Sequence, residues 1–184
     1  MALNADAVFL PSGGHFYRAP VDTPAPTDIT VAPTTPWEEI GHTSIEDIVS
    51  WSSEGGDQTV LGTLQASALK VSRASRTETF GFNLQQWDEE SLKLYFGRNM
   101  VDADGVLGIN SQAEATESAL LIVLNDGKKA MGIYAPKAEL FRGDDVSIDG
   151  TDSIASLPIQ VTPVVSGSNS WAFGIIPVQV PTEV

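Results

Sequence analysis

The chain has 184 residues, 42% of them hydrophobic, which is enough for one core of ordinary size and too apolar for a disordered chain. Twenty-four acidic against ten basic residues give a formal net charge of −14, which argues against a protein that grips a nucleic-acid backbone through its cations. The absence of cysteine excludes disulfides and thiolate metal sites. Residues 1–4 lack the basic start of a secretory signal, and the longest strongly apolar run, residues 119–124, is far too short to span a bilayer.

Residues 1–36 read as an extended arm rather than core. Six of the eleven prolines fall here (Pro11, Pro20, Pro24, Pro26, Pro33 and Pro36), and repeated proline removes ladder donors and favours extended backbone. Residues 7–10 and 29–31 are short apolar stretches that could each add an edge strand. From Trp37 the pattern becomes regular, so residues 37–184 are expected to form a single domain. Residues 37–42 and 45–51 are candidate strands. Residues 52–58 form a polar, glycine-rich stretch that predicts a long loop, and residues 59–64 and 68–72 read as further strands.

Between residues 78 and 84 the side chains alternate, with Phe80, Phe82 and Leu84 on one face, as in a half-buried strand. At Trp87–Asp88 the period changes. Asp88 is placed to cap a helix, Glu89 and Glu90 sit where the helix dipole favours negative charge, and Gly97 is placed to end it. Leu92, Tyr95 and Phe96 would form the apolar stripe, with Trp87 stapled on Leu92. Residues 98–112 are turn-rich. Residues 119–124 are apolar on both faces, as in a strand covered from both sides, although the capping-box pattern at residues 111–114 would also allow a helix. Asn125-Asp126-Gly127 marks a hairpin turn, with residues 130–135 as the returning strand. Residues 138–142 and 146–148 flank a turn at residues 143–145. Residues 154–165 read as a long strand bent at Pro158 and Pro163, and therefore placed at an edge or a bulge. Residues 171–180 are the last strand, with Trp171 in the core. The fold class is mainly β, a sandwich or barrel with one flanking α-helix.

No catalytic set emerges. His15 and His42 lie in unrelated contexts, and neither a nucleophile elbow nor a phosphate loop is present. Asp102-Ala103-Asp104-Gly105 resembles part of a calcium loop, but in EF-hand register the end positions would be Met100 and Ser111, which cannot supply the carboxylates. Asp144, Asp145, Asp149 and Asp152 read as turn formers before they read as a metal site. Lys128-Lys129 is too small a basic pair for a nucleic-acid surface. No cofactor, no metal site and no enzymatic activity are expected.

The ordered combination of segments carries a resemblance. Residues 37–64 (WEEIGHTSIEDIVSW followed by SSEGGDQTVLGTL), residues 76–97 (RTETFGFNLQQWDEESLKLYFG) and residues 119–140 (ALLIVLNDGKKAMGIYAPKAEL) resemble, in order and spacing, the major tail proteins of siphophages that infect actinobacteria. The resemblance covers roughly residues 37–180. It implies a β-sandwich with one flanking helix whose copies close into hexameric rings, stacked into a hollow tube through which the phage genome leaves. It implies a structural virion protein assembled in the bacterial host cytoplasm, with itself, the tail terminator, the tape measure and the distal tail proteins as partners. DNA would pass through the lumen without specific binding, and no membrane would be involved. By the same resemblance Glu54, Gly55, Gly56, Asp57, Val60 and Leu61 are candidates for ring-to-ring contact, on a loop that orders when it docks or is simply a mobile surface loop. Asp144, Asp145 and Asp149 are candidate lumen acids. The two-sided apolar strand at residues 119–124 would be covered partly by a neighbouring copy. Alternatives from other classes are a head-tail joining or capsid decoration protein, and a carbohydrate-binding sandwich with Trp51, Trp87 and Trp171 as a stacking platform.

Overall fold

The computed structural model describes residues 3–146, 148, 150–167 and 169–181. After a short 3-10 turn at Ala5–Ala7 come the strands β1 (Gly13–Ala19), β2 (Glu38–Glu39), β3 (Ser50–Gly55), β4 (Gln58–Thr63), β5 (Ala66–Arg73) and β6 (Arg76–Leu84). The helix α1 (Glu89–Phe96) follows, then β7 (Val101–Ala103), β8 (Val106–Gly108), β9 (Thr116–Asp126), β10 (Lys129–Arg142), β11 (Leu157–Pro163) and β12 (Gly174–Gln179). Eight strands make one antiparallel sheet in the order β2-β1-β9-β10-β11-β6-β3, with β12 also paired to β10. β4 with β5 and β7 with β8 form separate two-stranded ribbons.

The sheet doubles back on itself as a sandwich. Phe16 of β1 meets Phe82 of β6 with ring centroids 4.6 Å apart, and both belong to one buried cluster with Phe80, Leu120, Ile122, Leu140 and Ile159. The bend is made within β10. That strand pairs with β9 along its length, but its register shifts between Ala135 and Ala138, around Pro136. An extra residue at a bulge resets the side-chain alternation, and proline is tolerated where the ladder is already broken. Ala135 and Ala138, three residues apart, therefore both face the main core.

β9 is apolar on both faces, as its sequence predicts, but its cover comes from its own chain. Leu120, Ile122 and Leu124 enter the sandwich core, whereas Ala119, Leu121 and Val123 join a second cluster with Tyr17, Trp37, Ile29 and Tyr134. Ala119 through Leu124 are all at most 5% exposed in the single chain, so no neighbouring copy is needed to cover them. The second cluster is roofed by residues 20–37. Tyr134 Oη donates to the Thr23 carbonyl at 2.7 Å, Trp37 Nε1 to the Pro24 carbonyl at 3.3 Å, and the Ile29 N–H to Gln179 Oε1 at 3.0 Å.

The first 36 residues are thus more than an arm. Gly13–Ala19 is an interior strand between β2 and β9, and Ile29 is 2% exposed, while the apolar stretches at residues 7–10 and 29–31 form no strand. Proline density concealed a seven-residue stretch free of proline that does the pairing. The strand expected at residues 37–42 shrinks to Glu38–Glu39, and the one expected at 45–51 starts only at Ser50. β11 is an interior strand between β10 and β6 rather than an edge. Its prolines sit at its second and last positions, where few ladder donors are lost. The turn-rich segment holds the β7–β8 ribbon, turned at Asp104 (φ 55) and Gly105 (φ 80). The hairpin after β9 turns on Gly127 and Lys128, one residue later than the Asn-Asp-Gly signal suggests.

Helix α1 has the expected cap: Asp88 in extended geometry accepts from the Ser91 N–H at 2.9 Å. Gly97 closes the last turn, its N–H bonding to Lys93 O, but at φ 110 and ψ 145 rather than in the left-handed helical region. The buried stripe is Ser91, Leu94 and Tyr95, with Leu92 and Phe96 only partly buried, so the helix is rotated by about one residue from the sequence reading. Trp87 is 39% exposed and donates Nε1 to the Ala155 carbonyl at 3.1 Å, a partner on the β11 side that no helix-local rule could supply. Arg18 of β1 reaches Glu90 at 2.7 Å and ties the helix start to the sheet.

Candidate assembly surface

The stretch expected to be a loop at residues 52–58 is the root of a long hairpin. β3 pairs with β6 from Ser50↔Gly81 to Gly55↔Arg76. The root is locked by side chains. Trp51 Nε1 donates to Glu78 Oε2 at 2.6 Å, Ser53 Oγ to Glu78 Oε1 at 2.8 Å, and Ser52 and Thr79 share a hydroxyl bond of 2.5 Å. Those two donors hold the Glu78 carboxyl below the ordinary glutamate range. The Trp51 ring stands edge-on to Phe80 and Phe173, both at 5.3 Å.

Gly55 (φ 84) and Gly56 (φ 78) then form a joint, which explains the glycine pair that composition reads as flexibility. A side chain on Gly55 would press on the Ser75 carbonyl at 2.7 Å. Across the joint the Ala74 N–H bonds to the Asp57 carbonyl at 3.0 Å. Beyond it β4 and β5 pair only with each other, from Gln58↔Arg73 to Thr63↔Ala66, with a register shift near Gly62. Eight residue steps, from Gly56 to Leu64, carry the ribbon roughly 27 Å past the joint at the usual strand rise.

This ribbon buries almost nothing of itself. Val60 is 48% exposed, Leu61 50%, Leu69 65%, Val71 51% and Leu64, at the tip, 101%. Register places Val60 opposite Val71 on one face beside the Gln58↔Arg73 pair, and Leu61 opposite Lys70 on the other. Each face therefore sets an aliphatic beside a cation. From Gln58 to Thr77 there are three bases (Lys70, Arg73, Arg76) and no acid, in a chain of net charge −14. The alternation was legible in the sequence. The returning strand β5, with Leu69, Lys70, Val71 and Arg73, and the tip residue Leu64 lie beyond the candidate residues 54–61, because only the pairing of β4 with β5 brings the two strands into one ribbon.

Of the candidate contact residues, Glu54 and Gly55 end β3, Gly56 and Asp57 make the joint, and Val60 and Leu61 lie in β4. They share one hairpin. Asp144 and Asp145 lie together in the turn after β10, where Tyr95 Oη donates to the Asp144 carbonyl at 2.5 Å and the Asp145 N–H bonds to Asp144 Oδ1 at 2.9 Å. Burial, then the charge of Asp145, raises the Tyr95 hydroxyl above its ordinary value. Asp149 lies outside the described residues. The outer face of β3, β6 and β11, opposite the core, forms an open trough of about 360 Å³ with Asp47 and Asp144 on its lining.

Among the described residues no group of three or more His, Asp or Glu side chains could hold a metal ion. No ring contact joins any two of Trp51, Trp87 and Trp171. Trp171 is 42% exposed rather than core, its edge on Tyr134 at 6.0 Å, and the last strand starts three residues after it, with Ile175 facing outward. No helix among the described residues is long and apolar enough to cross a membrane.

The family model for "Phage tail tube protein" matches residues 1–173, taking in the first 36 residues as well as the segments that carried the resemblance. The chain is 34% identical over 174 residues to the major tail protein Gp23 of Mycobacterium phage D29, covering 88% of this chain and 87% of that protein. It is 33% identical over the same span to major tail protein Gp23 of Mycobacterium phage L5. With an antiparallel β-sandwich, a single flanking α-helix and a match along nearly its whole length, this chain belongs to the phage tail tube protein family.

Proposed function

We propose that the chain is the repeating subunit of a hollow phage tail, closing into hexameric rings that stack through the β4–β5 hairpin. The observation that carries this reading is the hairpin itself: a rooted ribbon whose aliphatic side chains are half to fully exposed, on a body whose core is closed. Exposed apolar groups on a defined projection mark an interaction surface. The sheet ends on β2 at one margin and β3 at the other. Contacts between unlike margins are head-to-tail and close into a ring when the rotation allows. The acid surplus suits a lumen along which DNA slides without adhering, with Asp145 as a candidate, whereas Asp144 lines the trough on the outer face of β3, β6 and β11. At its ends such a tube would meet the terminator, tape measure and distal tail proteins, and assembly would take place in the host cytoplasm. The role is structural, not enzymatic.

The test removes the ribbon and keeps its root. Excising residues 58–73 and bridging Asp57 to Ala74 with two glycines preserves β3–β6 pairing, because those two residues already face each other across a hydrogen bond. The expected product melts like the full chain and forms no tubes by negative-stain microscopy. Tubes of ordinary length from this variant would refute the role of the hairpin. Single rings only, from the full-length chain at any concentration, would favour a head-tail joining protein instead.

A further inference from the structure

The hairpin needs a counter-surface, and the trough on the outer face of β3, β6 and β11 has the matching chemistry. Its floor is made by short side chains such as Ser50, Ser52, Thr79 and Gly81, so the sheet surface lies open. Asp47 and Asp144 line it, and no Lys, Arg or His does. Neither acid has an ion-pair partner, and neither do Lys70 and Arg73 on the hairpin. The ribbon leaves the body on the very strands that floor the trough and runs away from it past the Gly55–Gly56 joint. A chain therefore does not fill its own trough, and a second copy supplies the occupant.

We propose that the hairpin of one copy seats edge-on in the trough of the copy in the adjacent ring, Arg73 on one ribbon face and Lys70 on the other reaching Asp47 and Asp144. The assignment rests on the stacked-ring reading and names its receiving surface. A projection and a socket at different places on one molecule make a head-to-tail contact that propagates, as a tube requires. Opposite charges at the rim fix which end of a ring accepts the next and penalise tip-to-tip encounters between like-charged hairpins.

Two charge-reversed variants test it, K70E/R73E and D47K/D144K, all four sites being exposed and outside the core. Each double variant should melt like the wild type, yet its critical concentration for tube formation should rise about tenfold or more. An equimolar mixture of the two, and the quadruple variant alone, should recover tubes, because every hairpin again meets a trough of opposite sign. In parallel, the cysteine-free chain carrying K70C and D144C together should give a ladder of covalent multimers under mild oxidation, where each single cysteine gives dimers at most. Wild-type critical concentrations for both double variants, no recovery in the quadruple variant, or dimers only from the paired cysteines would overturn the docking assignment. If the wild-type chain itself never builds tubes, the stacked-ring reading falls instead, which separates the two failures.

Discussion

Leu64 at the hairpin tip offers the sharpest test of what the ribbon is for. Its side chain is 101% exposed, so in the isolated chain it has no packing to lose. Replacing it by serine should shift folding stability by no more than about 0.5 kcal/mol, as expected for a surface site. If the tip is buried on docking, the same change forfeits the transfer of one leucine side chain out of water, roughly 1.5–3 kcal/mol. That corresponds to about a 10- to 150-fold weaker contact. In a polymer that grows one docking event per subunit, the critical concentration should rise by that factor. Sedimentation of tubes across a dilution series gives the critical concentration, and thermal melting of the soluble fraction gives the stability. A critical concentration within about twofold of wild type, with melting unchanged, would refute the reasoning. So would a large drop in melting temperature, since it would mean that Leu64 packs within its own chain.

Ile29, 2% exposed beneath the outer face of β9, makes residues 20–37 part of the fold; Ile29→Ala should cost about 2–5 kcal/mol in urea unfolding, and a loss under about 1 kcal/mol would return the segment to a loose arm. Asp88→Ala removes the helix cap and should cost about 1 kcal/mol at neutral pH. The hydrogen bonds from Ser91 hold the Asp88 carboxyl below its ordinary value. This stability contribution is therefore complete above the unfolded value near ~3.9 and is lost as pH falls through the lower folded value, so variant and wild type should converge in acid; a constant gap down to full protonation would count against the cap. Trp51→Phe deletes the first of the donors that depress Glu78. The Glu78 carboxyl, followed by NMR, should then titrate closer to the ordinary glutamate range, and an unmoved titration would show that the root of the hairpin is held otherwise.

Local rules served the sequence reading where one residue answers to its chain neighbours. The Asp88 cap and the strand through Phe80, Phe82 and Leu84 follow from spacing alone, while residues 119–124, which their pattern also allowed as a helix, are the strand that the hairpin turn behind them favours. Failures came where the decisive partner is distant in sequence. β1 gains its place from β9, about a hundred residues later, so the surrounding prolines outweighed it in a local reading. Pro158 and Pro163 suggested an edge, yet both sit near the ends of β11, where an interior strand tolerates them. Trp87 donates to the Ala155 carbonyl, a partner nearly seventy residues away that a helix-local rule cannot supply. Gly55 and Gly56 signalled flexibility, but between two paired ribbons the same conformational freedom makes a sharp joint in continuous β-structure. The candidates Glu54 through Leu61 all fall in one hairpin and stop short of its tip, while the trough draws on β3, β6 and β11 together and left no trace in any one segment.

The size of the hairpin surface bears on how a tube grows. Its five aliphatic side chains expose, between them, about three whole side chains, which at roughly 1.5–3 kcal/mol each gives a gross gain of about 5–9 kcal/mol. Association costs at least about 4 kcal/mol in lost translational and rotational freedom before any ordering of the ribbon. Under the proposed docking, one hairpin in one trough would be a weak contact, and two free subunits would part readily. A closed ring changes the arithmetic, because it presents all its sockets at once in fixed positions. A subunit docking on it gains its lateral neighbours as well as the trough beneath, and each later arrival meets partners already held at high effective concentration. A monomer whose core is complete without company, as the burial of Leu121 and Ile122 within the chain shows, is the form that can wait in solution under these conditions. If the proposed docking holds, the same separation, a closed body and a weak projecting contact, would direct growth to a tube end that already exists rather than to random aggregation.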